Sequence, residues 1–241
     1  MSKLKRFYFD KNENDEEVTL IGQEFIHCKN VMRLREGDEL IACCGDGFDY
    51  ICRITHIQKD EAKCQVLEKV KNEQDSSLNL VLYQGNLKAD KVELIVQKTS
   101  EIGVSEMVLF NSEFCVAKNE NTNKIERFKK IAKESAKQCG RSQVIKVGRF
   151  VEFDEMLNEL QNYDIVLFAY ENQQNTKISE LKGKYQNIAV IIGSEGGVSP
   201  SECDKLSKLS NVKFVTLGKR ILRAETASIV ATALAMDIFE Q

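Results

Sequence analysis

The 241 residues include 42% hydrophobic and 29% charged side chains, enough for a packed core in one large domain or two small ones. No apolar run approaches the ~20 residues of a membrane span, and the first residues lead into no stretch of signal-peptide length, so the expectation is a soluble, cytoplasmic chain without membrane contact. The formal net charge of −3 excludes a uniformly basic nucleic-acid binder, so any such surface must be local.

Short strands are expected at 6–9, 18–20, 39–43, 49–55 and 62–70, with a short helix at 27–34 and a tight turn at Gly45-Asp46-Gly47. This pattern reads as a small β-barrel. The polar run 71–77 reads as a linker. Strand and helix then alternate, which predicts a mostly parallel sheet covered by helices. Strands are expected at 78–83, 107–110, 144–147 and 164–170. A helix spans 91–102, with Val92, Ile95, Val96, Thr99 and Ile102 on one face, and a short helix lies between the last two strands.

A basic helix ends at Gly140. Between 124 and 149, nine Lys or Arg stand against two Glu, a local charge of +7. Ile125, Phe128, Ile131, Ala132, Ser135, Ala136 and Cys139 recur at helical spacing, which turns the basic residues outward. That face reads either as a solvated surface or as a footprint for RNA phosphates. Eight Cys and two His show no zinc-ligand spacing, so reduced thiols and no metal are expected.

The most informative residues lie near the C-terminus. Strands at 188–192 and 212–217 each run into a glycine-bearing loop and then a helix. The first loop is Gly193-Ser194-Glu195-Gly196-Gly197, with Ser199, Pro200 and Glu202 forming a readable helix start. The second is Leu217-Gly218-Lys219-Arg220-Ile221-Leu222-Arg223-Ala224-Glu225-Thr226, leading into an apolar helix over 224–239. Loops of this kind build ligand sites at the C-terminal ends of parallel strands. Neither has the spacing of a dinucleotide fingerprint or a phosphate loop, so a nucleotide-like ligand without a triphosphate is expected. Two ordinary strand-to-helix turns are the competing reading.

These two loops resemble signature segments of the SPOUT class of RNA methyltransferases, and in wording the ribosomal RNA small subunit methyltransferase E family. Three kinds of motif extend the resemblance over nearly the whole chain. They are Arg6-Phe7-Tyr8, His27-x-x-x-Val31-x-Arg33-x-x-x-Gly37-Asp38, and the helix ends Gln97-Lys98-x-x-Glu101-x-Gly103-Val104 and Glu134-x-x-x-Gln138-Cys139-Gly140-Arg141. The chain departs at Ser194, where the family usually has Pro, giving up that residue's fixed φ.

The resemblance implies an α/β fold, with a PUA-like RNA-binding β-barrel in residues 1–72 and a SPOUT domain with a C-terminal trefoil knot in 73–241. It implies S-adenosylmethionine as cofactor, N3 of a uridine in small-subunit (16S) rRNA as acceptor, the assembled 30S subunit as substrate, and a homodimer. Carried over residue by residue, the donor pocket comprises Phe168, Ala169, Tyr170, Ile192, Gly193, Glu195, Gly196, Gly197, Leu217, Gly218, Ile221, Leu222, Thr226 and Ala227. The RNA side comprises Arg6, Arg33, Arg35, Lys98, Arg141 and Arg223.

Uracil N3 carries a proton near neutral pH, so the site needs a base or cations that stabilise the uridine anion. Arg223 is the leading candidate for that charge, against an ordinary ion pair. Glu195 is the second catalytic candidate, holding the donor or the acceptor base, against a cap for backbone amides; Glu225 caps the last helix or acts in catalysis; His27 reads as structural. Action on tRNA or large-subunit rRNA, or a non-catalytic assembly role, stays open beside the favoured reading.

Overall fold

Apolar residues at alternate positions in the first seventy give strands with one buried face. The computed structural model describes residues 4–10, 16–115, 121–171, 173 and 176–240. The chain forms two compact units, one of Met1–Asp75 with Ala136–Val144, the other of Ser76–Ser135 with Ile145–Gln241.

The first unit contains β1 (Arg6–Tyr8), β2 (Glu17–Ile21), α1 (Gly22–Ile26), β3 (Glu39–Cys43), β4 (Phe48–Ile57) and β5 (Glu61–Lys71). Its five-stranded sheet has the order β1-β3-β4-β5-β2, antiparallel except for β1 beside β3. Bulges between β4 and β5, near Cys52 and His56, bend it into a half-barrel. Phe7, Leu20, Leu40, Tyr50 and Ile54 fill its core. The turn expected at 45–47 forms, with Gly45 and Gly47 at φ +82° and +85°. The expected helix at 27–34 is displaced. It starts at Gly22 and widens into π-type turns over His27–Val31, because Phe25 and Cys28 are the side chains that reach the core. No side chain caps its start, so the sequence carried no start signal there.

Buried polar contacts close this unit. Arg6 grips Asp49 with two hydrogen bonds, 2.5 and 2.7 Å. Asn72 Nδ2 donates to Asp49 Oδ1 (2.8 Å) and to the Gly140 carbonyl (2.9 Å). Asp75 accepts from the amides of Ser142 and Gln143, and the Tyr8 hydroxyl donates to the Arg141 carbonyl. These bonds hold residues 136–144 in the first unit, although the chain reaches them only after a second unit has begun.

The second unit contains β6 (Asn79–Gly85), α2 (Ala89–Ile102), β7 (Glu106–Asn111), α3 (Thr122–Cys139), β8 (Lys146–Glu152), α4 (Phe153–Glu159), β9 (Ile165–Ala169), β10 (Asn187–Ile192), α5 (Pro200–Ser207), β11 (Val212–Val215) and α6 (Ala224–Phe239); α3 gives its last residues, 136–139, to the first unit. All six strands are parallel, in the order β11-β9-β10-β6-β7-β8. Both faces are buried, as continuous apolar runs require. Val81, Tyr83, Val166, Phe168, Ala189 and Ile191 pack on one side with Met156, Leu160 and Leu206. α6 packs on β6, β10 and α2. The expected strand at 144–147 lies instead at 146–152. β8 is an edge strand with exposed Lys146, Arg149 and Glu152 and a positive φ at Gly148, so its apolar signal fades where the strand continues.

Candidate functional site

β9 lies between β10 and β11, so three strand ends that are far apart in sequence meet on one edge of the sheet. A cavity of about 400 Å³ opens there, within the usual ~300–1,000 Å³ of ligand pockets. Its walls are the end of β9, the loop after β10, the loop after β11 and Lys91 from the first turn of α2.

The first loop is a tight turn. The Gly197 amide donates to the Ser194 carbonyl (3.0 Å), and Gly197 sits at φ +74°. A Cβ on Gly85, the last residue of β6, would lie 2.3 Å from the Ser194 nitrogen, so this close passage requires glycine. Gln84, fully buried, donates to the carbonyls of Gly85 and Gly193 and accepts from the Ser228 hydroxyl of α6. The predicted helix start forms as a capping box: Glu202 accepts from the Ser199 amide (2.9 Å), and Ser199 Oγ accepts from the Glu202 amide (3.3 Å). Glu202 also accepts from the Glu113 amide at 3.0 Å.

In the second loop, Thr216 Oγ1 accepts from the Gly218 amide (3.1 Å), and Gly218 takes φ +117°. A Cβ there would meet nothing within 4 Å, so the backbone leaves a cradle facing the cavity. Arg223 is the extended N-cap of α6, and its side chain is exposed at the cavity wall.

The structure brings together Phe168, Ala169, Tyr170, Ile192, Gly193, Glu195, Gly197, Leu217, Gly218, Ile221, Leu222, Arg223 and Ala227 around this cavity. Two expected members stand apart. Gly196 faces the turn after β7, where an added Cβ would lie 2.7 Å from the Phe114 carbonyl oxygen. Thr226 is exposed in the first turn of α6, outside the cavity wall.

The RNA candidates also divide. Arg33, at φ +54°, and Arg35 are exposed, and Lys98 is half-buried in an ion pair with Glu101. Arg6 and Arg141, also expected on the RNA side, have buried side chains. Their side chains are 8% and 3% exposed, beside Asp49 and Asp75. Part of the charge excess of 124–149 is answered by acids elsewhere in the sequence: Arg127 by Glu93, Lys137 by Glu24, and Arg149 by Glu106 and Glu159. A count along one segment cannot include those partners. His27 packs its ring against Phe7.

Lys91 and Gln84 were missed. Their signal was positional: β6 belongs to the same parallel sheet, so the helix after it opens on the same edge. Lys91 Nζ donates to Glu195 Oε1 (2.9 Å) and lies 3.8 Å from Glu225 Oε2. The Glu195 hydrogen bond holds the ammonium above its ordinary range, while the Arg223 charge works against it. The same bond holds the Glu195 carboxyl below the usual carboxylate range.

The walls suit a nucleoside carrying a polar, charged tail. Phe168, Ile192 and Leu222 offer apolar surface and Glu195 offers charge, while Lys91 and Arg223 add cations to the same wall for a second, anionic group. Ser194 Oγ, buried at the cavity wall, has no hydrogen-bond partner among the described residues, so a bonding position is open for a ligand.

A parallel sheet with a glycine-cradled cavity at its strand ends, in a chain that also folds a half-barrel, defines the class. An RNA methyltransferase domain matches residues 74–236, and an RNA methyltransferase PUA domain matches residues 20–67. The ribosomal RNA small subunit methyltransferase E of Bacillus subtilis is 32% identical, over 95% of this chain and 94% of its own length. That of Mesomycoplasma hyopneumoniae is 28% identical, over 92% and 96%. The crystal structure of the Neisseria gonorrhoeae enzyme of that name, bound to S-adenosyl methionine, superposes with a TM-score of 0.87 at 27% identity, covering 98% of each chain. The chain belongs to the ribosomal RNA small subunit methyltransferase E family of RNA methyltransferases.

Proposed function

We propose that this protein transfers a methyl group from S-adenosylmethionine to N3 of a uridine in small-subunit (16S) rRNA, acting on the assembled 30S subunit. The observation that carries this reading is the cavity at the ends of β9, β10 and β11, cradled by the Gly193–Gly197 turn and by Gly218. The donor supplies a methyl group already activated on a sulfonium. The chain's own residues bind, orient and exclude water. Phe168, Ile192 and Leu222 give apolar contact, and Ser194 offers its open hydroxyl. Arg223 stands on the acceptor side, where a planar guanidinium grips a phosphate or the uracil anion.

In this reading residues 1–72 recognise RNA and residues 73–241 carry the chemistry, in a cytoplasmic, metal-free homodimer. Leu94 of α2 and Leu234 of α6 are exposed on helices that pack together, which supports a second copy as their cover. Thr216 bonds to the Thr176 carbonyl (2.8 Å), so the loop after β11 runs beside the connection leaving β9, an arrangement that supports the knot.

The test is mass spectrometry of 16S rRNA nucleosides from cells with and without the gene, beside calorimetric titration of the protein with S-adenosylmethionine. Loss of N3-methyluridine with the gene is expected. An unchanged nucleoside profile rejects the acceptor; absence of donor binding rejects catalysis. Arg223→Ala should keep donor affinity within about threefold while single-turnover transfer falls about a hundredfold, the scale of one lost charge-stabilising donor.

A further inference from the structure

Lys91 reaches the cavity from a helix that neither signature loop contains, and two acids hold its ammonium. Glu195 accepts one hydrogen bond, and Glu225 Oε2 stands at 3.8 Å, too far for another. That Glu225 oxygen is buried and makes no hydrogen bond among the described residues. Its charge is therefore answered through space by Lys91. An ammonium has three donors, so Lys91 retains capacity toward the cavity it lines.

The neighbouring carboxylate is unsuited to take the acceptor's proton. Glu195 is held below the ordinary carboxylate range by this same lysine, whereas uracil N3–H ionises only in the alkaline range. The charge that needs help is the anion left behind. It spreads over N3 and the two flanking carbonyl oxygens, which a compact cation stabilises.

We propose that Lys91 is a catalytic residue of the acceptor site, donating a hydrogen bond to the uracil anion while Glu225 fixes its position. This rests on the uridine-N3 reading above. The N3 proton passes to solvent water. The N3 lone pair then forms the new bond to the methyl carbon as the carbon–sulfur bond breaks and its electron pair returns to sulfur. The charged groups facing Lys91 are Glu195 from the first loop and Glu225 and Arg223 from the start of α6; Lys88, just ahead of α2, acts on Glu195. Arg223 remains when Lys91 is removed, so loss of Lys91 should slow the reaction without abolishing it.

The experiment measures single-turnover methylation of small subunits from about pH 6.5 to 9.5 for the wild type, Lys91→Met and Lys91→Arg. Each protein is also titrated with S-adenosylmethionine, which reports folding and donor affinity, and the product nucleoside is identified by mass spectrometry. Lys91→Met should bind the donor within about threefold and lose about thirtyfold or more in rate at neutral pH. Its deficit should shrink to about fivefold or less at the alkaline end, where water alone ionises the base. Lys91→Arg should stay within about tenfold throughout. A deficit that is equal at every pH, or loss of donor binding in Lys91→Met, overturns the proposal and leaves the uridine-N3 reading intact. A wild-type product other than N3-methyluridine overturns that reading and the proposal with it.

Discussion

Gly218 and Gly196 sit in the two signature loops for different physical reasons. At Gly218 the backbone takes φ +117°, where a β-branched residue is strained, and the vacant Cβ position opens on space at the cavity wall. Gly218→Val should therefore weaken S-adenosylmethionine binding by about 2 kcal/mol or more, roughly thirtyfold by calorimetry; unchanged affinity in a folded variant would reject this placement. At Gly196 a Cβ meets the Phe114 carbonyl, so substitution there strains the loop against its neighbour and should register in thermal stability. Ser194 gives the opposite signs. Its hydroxyl is buried without a partner among the described residues, a cost the folded chain carries until a ligand satisfies it. Ser194→Ala should raise the melting temperature, by removing a penalty of about 1 kcal/mol, and lower donor affinity several-fold. A variant that changes neither quantity would remove Ser194 from the donor site. The glycines and Arg223 could be read from the sequence because a strand, a loop and a helix start are local. Lys91 could not, because its role depends on β6 lying beside β10, a pairing across a hundred residues.

At the scale of elements, the sequence showed most strands and helices because each carries a periodic apolar face, as in α2, whose Val92, Ile95, Val96 and Thr99 are buried as expected. It failed where the pattern was interrupted or its partner lay far away, at β8 and at α1. The return of residues 136–144 to the first unit is a further case, since Asn72 and Asp75 hold them by hydrogen bonds that leave no periodic trace. Asp49 is the centre of that junction. Burial alone would raise its carboxyl, but hydrogen bonds from Arg6 and Asn72 outweigh it, and the group is held below its ordinary value. A carboxyl depressed in the folded state contributes stability above its unfolded value, near ~3.9, and that contribution is lost as pH falls through the folded value. Asp49→Asn should remove this acid-dependent part. It should also destabilise the protein by about 3–5 kcal/mol near neutral pH, because the buried Arg6 charge is left without its partner. Urea unfolding at neutral and acid pH measures both. A variant as stable as the wild type at neutral pH would show that the Arg6–Asp49 pair contributes little.

For the whole molecule, the question is which cations meet RNA in a chain whose net charge is −3. The +7 segment pointed to α3, but the fold pairs Arg127, Lys137 and Arg149 with acids and buries Arg141. The buried ones, Lys137 and Arg141, release few counterions when RNA binds, so they contribute little to its salt dependence. Arg33 and Arg35 are in a different position: both are exposed, in the half-barrel that matches an RNA methyltransferase PUA domain. If they neutralise phosphates, replacing both with Ala should flatten the plot of log affinity against log salt by about 0.7–0.9 for each phosphate no longer neutralised. Binding at low salt should weaken while the melting temperature holds. Arg6→Met should do the reverse, lowering stability through the unpaired Asp49 and leaving the slope per folded molecule unchanged. The measurement is binding of small subunits across a salt series for the wild type, the Arg33/Arg35 double variant and Arg6→Met, each beside a thermal melt. An unchanged slope in the double variant would move the RNA footprint off this part of the half-barrel, whereas a reduced slope in a stable Arg6→Met protein would return the buried arginine to the RNA side.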